Sequence, residues 1–192
     1  MEPIQDVPDL SAYLAADDVI DHDHDTVRAT VARLGAAGQD PEAYAGRAFA
    51  FVRDEIPHSA DAGDPRVTWR ASDVLRLRTG ICHAKSHALV ALLRAASVPA
   101  GLCYQKLDVV HGLVAIRLPG HPRWARQDPR GNKPGVDARF SLDREQLAWP
   151  VRPLLGEADY PTVHATAHPA VLDALRRARD RTHLMRLLPA AL

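Results

Sequence analysis

The chain has 192 residues, 46% of them hydrophobic and 25% charged, ordinary globular values that allow a proper core. Lys+Arg and Asp+Glu both number 24, so the formal charge is zero and the basic footprint of a nucleic-acid binder is missing. No run reaches the ~18 apolar residues of a membrane span, the MEPIQDVPDL start carries no basic or apolar leader, and Cys82 and Cys103 cannot build a disulfide framework. The expectation is one reduced, soluble, cytoplasmic domain over residues 1–192, with no nucleic-acid or membrane partner.

Pro3 and Pro8 interrupt any early helix, so residues 1–20 read as an irregular lead-in. The DHDHD segment, Asp21 to Asp25, alternates metal-ligand residue types but stands directly before an apolar-periodic run of Val27, Val31 and Leu34. Its aspartates and Thr26 are expected as caps and first-turn residues of a solvated helix that ends at Gly35 to Gly38. A second helix opens at Asp40-Pro41, runs through Ala45, Ala48, Phe49, Val52 and Ile56, and ends at Pro57. Residues 58–68 form a polar loop, and Trp69 to Arg78 gives a short helix with Ser72 or Asp73 near its start. After the Thr79-Gly80 turn, Ala84, Ala88, Leu89, Leu92, Leu93 and Ala96 recur at three- and four-residue spacing. That run predicts an amphipathic helix from Cys82 to about Ser97, closed by Pro99.

Beyond Pro99 the periodicity changes. Ala100 to Leu107, Val109 to Leu118 and Trp124 to Gln127 read as three successive strands joined by short turns. Helices first and strands afterwards predict an α+β domain with an antiparallel sheet. Asp128 to Gly135 is a turn-rich loop, residues 136–163 look irregular, and His168-Pro169 opens a terminal helix with Val171, Leu172, Leu175, Leu184, Leu187 and Leu188 on its apolar face.

A cysteine hydrolase needs a thiolate, an imidazole to relay the proton, and a third group that fixes the imidazole tautomer. Cys82 stands at a helix start, where unpaired N–H groups and the macrodipole favour a thiolate. His111 lies inside the second predicted strand, and Asp128 ends the third, so a turn between them can return Asp128 to His111. Gly112 leaves room for a close approach beside His111. Cys103, in mid-strand, reads as a small buried hydrophobe. Gln105 and Trp69 are weaker candidates for oxyanion or pocket residues. His83 and His87 have the spacing of a zinc pair, but HAKSH lacks the glutamate of HExxH, so no metal is expected.

Three blocks in order carry a family resemblance. Gly80-Ile81-Cys82 followed by a helix with LLRA and then Ser97-Val98-Pro99-Ala100, the VVHG of Val109 to Gly112, and the W-x-x-x-D-P of Trp124 to Pro129 resemble the core of the transglutaminase-like superfamily. FAFVRDEIPH, Phe49 to His58, is similar to the helix and turn that precede that core, and the resemblance covers about residues 43–131. It implies a papain-like α+β fold in which Cys82, His111 and Asp128 are nucleophile, base and orienter, without a cofactor. The chain departs from the family after the histidine, where Gly112, Leu113, Val114 and Ala115 replace H-x-W-x-E. The expected activity is cysteine-dependent acyl transfer on a peptide, protein or amide substrate, with hydrolysis favoured over crosslinking. Two other readings are a catalytically silent binding or assembly module on this fold and a zinc hydrolase built on His83 and His87.

Overall fold

The computed structural model describes residues 3–36 and 40–192. The lead-in is more ordered than its prolines suggest. Strand β1 (Ile4–Gln5) pairs in parallel with β6 (Thr162–Val163), and Leu10–Tyr13 forms a 3-10 turn whose Asp9 cap accepts the Ser11 N–H. Two-residue strands are too short to show a period.

Four helices follow: α1 (Asp25–Arg33), α2 (Pro41–Glu55), α3 (Ala71–Leu77) and α4 (Cys82–Ala95). Helix α2 starts as its sequence predicts, with the Asp40 carboxylate accepting the Ala43 N–H and Pro41 in the first turn. Helix α1 is capped differently from expectation. The imidazole Nδ1 of His24, not an aspartate, accepts the Thr26 N–H at 3.1 Å. Helix α1 ends at Arg33 and Gly35 turns at φ 71°, while Gly38 lies outside the described residues. Asp21 has a longer reach, accepting both the N–H and the hydroxyl of Ser72 at 3.0 and 2.5 Å. Ser72 lies inside α3, which has no side-chain cap of its own, so a residue before α1 supplies it.

Helix α4 departs most from its pattern. The periodicity predicts one apolar stripe, yet every residue from Cys82 to Arg94 is buried, including Lys85, Ser86, His87 and Arg94. The helix is the central rod: α1, α2 and α3 pack round it, and the sheet closes the remaining side. Its buried polar groups serve other backbones. Arg94 donates to the carbonyls of Ala100, Ala15 and Ala165 at 3.0, 2.7 and 2.6 Å, and Lys85 donates to that of Ile56 at 2.5 Å.

The sheet has the order β4-β3-β2-β5, all antiparallel, from β2 (Ala100–Lys106), β3 (Val110–Ile116), β4 (Ala125–Gln127) and β5 (Ala158–Asp159). The three central strands match expectation; β5 and β6 come from the stretch that looked irregular. Alternate residues serve two cores. Leu102, Tyr104, Val114 and Ile116 join the main helical core, and Cys103, Leu113 and Ala115 pack with Tyr13, Trp124 and Val163.

The predicted terminal helix is two helices, α5 (Pro169–Arg177) and α6 (Arg181–Leu187). Ala178 is extended, and the Asp180 carboxylate starts afresh by accepting the His183 N–H at 2.8 Å. Among the described residues, no helix is long and apolar enough to cross a membrane.

Candidate active site

The turn that delivers Cys82 is held from two sides. His58 forms a parallel bridge with Gly80, where the Ser59 N–H donates to the Gly80 carbonyl at 3.0 Å. The Thr68 hydroxyl donates to the Thr79 carbonyl at 2.8 Å. Gly80 fits because a Cβ there would lie 3.0 Å from Ala84 Cβ and 3.1 Å from Thr68 Oγ1. Cys82 is then the first residue of α4, and Ile81 before it offers no side-chain cap. The thiol therefore stands at the open, positive end of the helix.

Strands β3 and β4 position the other two groups. Val114 pairs with Gln127, so the chain leaves β4 running back along β3 toward His111. His111 Nε2 lies 2.9 Å from Asp128 Oδ2, and the two residues are 5% and 0% exposed. The Asp128 carboxylate accepts two further donors, the Arg130 N–H on Oδ1 at 3.1 Å and the Ala148 N–H on Oδ2 at 3.0 Å. With Nε2 committed to Asp128, Nδ1 is the His111 nitrogen left for Cys82. Gly112 does leave room for close approach, and the visitor is α4. A Cβ at 112 would stand 2.8 Å from His83 Cδ2 and 3.0 Å from His83 Cα.

These groups line a cleft of about 620 Å³. Trp149 meets the His111 ring edge-on at 5.2 Å and carries the Arg130 guanidinium 4.9 Å from its ring centre. Arg130 is itself paired with Asp61 at 2.6 and 3.0 Å, and Lys133 reaches the same carboxylate at 2.8 Å. The apolar wall includes Val109, Val110, Met185 and Leu188, the last two from α6 and its end.

Electrostatics separate the two cysteines. Burial pushes the Cys82 thiol up, but the neighbouring His83 and His111, helped by His58, outweigh it and hold it well below the usual thiol range. Burial likewise opposes charge on His111, and Asp128 and the Cys82 sulfur more than offset that, raising it well above the ordinary imidazole value. Cys103 has only burial acting strongly on it, which pushes its thiol up.

The structure thus brings Cys82, His111 and Asp128 together and leaves the weaker candidates elsewhere. Gln105 faces His111 across the strand pair, but its amide donates to Asp159 at 2.9 Å and it does not line the cleft. Trp69 lies away from the cleft, with the guanidiniums of Arg70 and Arg176 at 4.8 and 4.7 Å from its ring. His83 and His87 have separate partners. His87 Nδ1 bonds the Trp69 carbonyl at 2.8 Å, whereas His83 Nδ1 lies 3.4 Å from Cys82 Sγ. The DHDHD histidines also part company, His22 bonding the Leu14 carbonyl while His24 caps α1. Among the described residues, no group of three His, Cys, Asp or Glu is arranged to hold a metal ion. Sequence reasoning missed His58, Trp149 and the Asp61–Arg130 pair, which come from loops distant in the chain. It weighed His83 only as half of a zinc pair with His87, where no metal was expected, although its place next to Cys82 was a visible signal.

No curated protein matches the chain significantly. Among solved structures, the fold is similar to that of a putative cysteine protease from Cytophaga hutchinsonii, with a TM-score of 0.54 and 16% sequence identity. The match covers 65% of this chain and 43% of that one, so the chain spans less than half of that protein. The family model of the transglutaminase-like superfamily matches residues 28–129, starting within α1, earlier than the motifs alone suggest, and ending just past Asp128. With more than half its length inside that match, the chain belongs to the transglutaminase-like superfamily.

Proposed function

We propose that the protein is a cysteine-dependent hydrolase acting on an amide or peptide bond through a thioester. The observation that carries this reading is the buried 2.9 Å contact between His111 Nε2 and Asp128, beside a thiol at the open start of α4. Cys82 attacks the carbonyl carbon as a thiolate, forming a C–S bond while the carbonyl electrons move onto oxygen. Collapse of that oxyanion breaks the C–N bond, and the His111 imidazolium gives its proton to the departing amine. His111, now neutral, takes a proton from water, which attacks the thioester and releases the acid and the thiolate. Asp128 keeps the imidazole oriented and stabilises its charged form throughout. The sequence requires neither metal nor organic cofactor. Because most charged groups on the cleft wall are paired with one another, as in Asp61–Arg130, Lys133–Asp61 and Arg152–Glu157, with the exposed Asp108 as the exception, the reading favours a substrate with an uncharged, apolar side chain near the scissile bond.

The test is covalent trapping. Incubation with an activated ester such as p-nitrophenyl acetate, followed by acid quench and peptide mass spectrometry, should place one acetyl group on Cys82 and none on Cys103. Cys82→Ala should take up none. An unmodified Cys82 under conditions that acylate a surface thiol would move the protein to the binding-module reading.

A further inference from the structure

Three imidazoles surround the Cys82 sulfur, and the proposed reaction uses one. His111 handles the proton. His58 sits on the cleft wall across the Gly80 bridge. His83 differs from both in following Cys82 directly in α4, with its Nδ1 3.4 Å from Cys82 Sγ, within hydrogen-bond reach of the sulfur.

The placement of His83 is a built one. The residue is 1% exposed, its ring is tilted against Tyr104 with centres 6.2 Å apart, and its other side lies where Gly112 lacks a side chain. Any Cβ at position 112 would displace it. Its Nε2 is buried with no hydrogen-bond partner. An imidazolium would leave a charged N–H there without an acceptor, a costly arrangement, whereas the neutral tautomer protonated on Nδ1 leaves only a lone pair. Donation of Nδ1–H to the sulfur is thus compatible with the unpartnered Nε2 and needs no further acceptor at the buried end of the ring.

We propose that His83 is a dedicated hydrogen-bond donor that holds the Cys82 thiolate, so that charge-holding and proton transfer are divided between two imidazoles. The proposal rests on the reading of Cys82 as the nucleophile. In that division His111 is free to move its proton to the leaving group without the resting thiolate collapsing to a thiol. The titratable groups that face this pair are His58 from the loop, Tyr104 from β2, His111 from β3 with Asp128 behind it, and His87 one turn along α4.

The experiment is the pH dependence of Cys82 alkylation by iodoacetamide, read at the peptide level, in His83→Leu, His83→Asn and His83→Gln and in His111→Ala with and without His83→Leu. Asn places its amide N–H where Nδ1 stands; Gln places it near Nε2. Loss of a hydrogen bond to a charged group should raise the midpoint by about one to two pH units in His83→Leu and His83→Gln. His83→Asn should restore most of that shift. His111→Ala should retain a midpoint below that of a free thiol, and the double variant should lose it. Thermal unfolding of each variant identifies any that fail to fold, and the Asn–Gln comparison stands if Leu is lost. The proposal is overturned if folded His83→Gln and His83→Asn titrate alike, or if His111→Ala alone brings Cys82 to the free-thiol midpoint. Because alkylation needs no substrate turnover, a depressed midpoint with no ester trapping would refute the hydrolase reading and leave this one standing.

Discussion

Asp128→Asn is the substitution that most sharply tests how the site is held together. Three donors converge on the Asp128 carboxylate: His111 Nε2 and the Ala148 N–H on Oδ2, and the Arg130 N–H on Oδ1. An asparagine amide has one oxygen. If that oxygen takes the Oδ2 place, the NH2 group meets the Arg130 N–H; if it takes the Oδ1 place, the NH2 group meets the Ala148 N–H. Either way a fully buried site acquires opposed donors, at a cost of about 1–3 kcal/mol. For a chain of this size that is a fall in melting temperature of roughly 2–12 °C. A pH-dependent part adds to it. His111 is raised in the folded state, so its pairing stabilises fully below the ordinary imidazole value near ~6.5 and is lost as pH rises through the folded value. The deficit of Asp128→Asn should therefore be largest at or below neutral pH and narrow in the alkaline range. Urea denaturation at several pH values measures it. A variant as stable as the wild type at every pH would mean that the carboxylate is not bound as described.

Gly112→Ala drives a Cβ to 2.8 Å from His83, and overpacking of this kind costs about 1–3 kcal/mol; displacement of the start of α4 should also slow ester trapping by about a hundredfold. Equal stability and equal trapping would show that α4 can yield there. Arg94→Met strands the Ala100 and Ala165 carbonyls in the core, releases that of Ala15 at its edge and should destabilise by about 3–5 kcal/mol, to be checked by denaturant titration, while leaving the pH midpoint of Cys82 alkylation unchanged in whatever folds. His87 is buried and held down to about 4, so the unfolded chain binds a proton between ~6.5 and 4 that the folded one refuses, and stability should fall with acidification by up to about 3 kcal/mol. His87→Asn, which keeps a donor for the Trp69 carbonyl, should flatten that slope; an unchanged slope would assign it to other groups.

Much of this was legible in the sequence, and the reasons for the misses are physical. Local signals worked where the partner is local: Asp40 before Pro41, Gly80 before Cys82, and strand patterns from Ala100 onward match the observed elements. They failed where a distant residue supplies the contact. Asp21 looked like a cap for α1 and serves α3, because a carboxylate satisfies any N–H it reaches. Helix α4 showed an apolar stripe, yet its polar positions are buried too, since Arg94 and Lys85 bond carbonyls from segments that periodicity does not connect. The terminal stretch read as one helix, and Asp180 within it instead begins a second one. The three central site residues could be named because two of them sit at the ends of recognisable elements and the third beside a glycine. Trp149, Asp61 and Arg130 belong to loops whose courses depend on the finished fold, and Gln105 went to Asp159 on a strand too short to be predicted.

The most direct measurement of the central claim is the pre-steady-state rate of Cys82 acylation by p-nitrophenyl acetate, followed from pH 5 to 10 in wild type and His111→Ala. The account predicts that the wild-type rate remains high well below the free-thiol value near ~8.5, and that His111→Ala loses about a hundredfold or more at neutral pH while remaining folded. Superimposable wild-type and His111→Ala profiles, both rising with a midpoint near that of a free thiol, would contradict it.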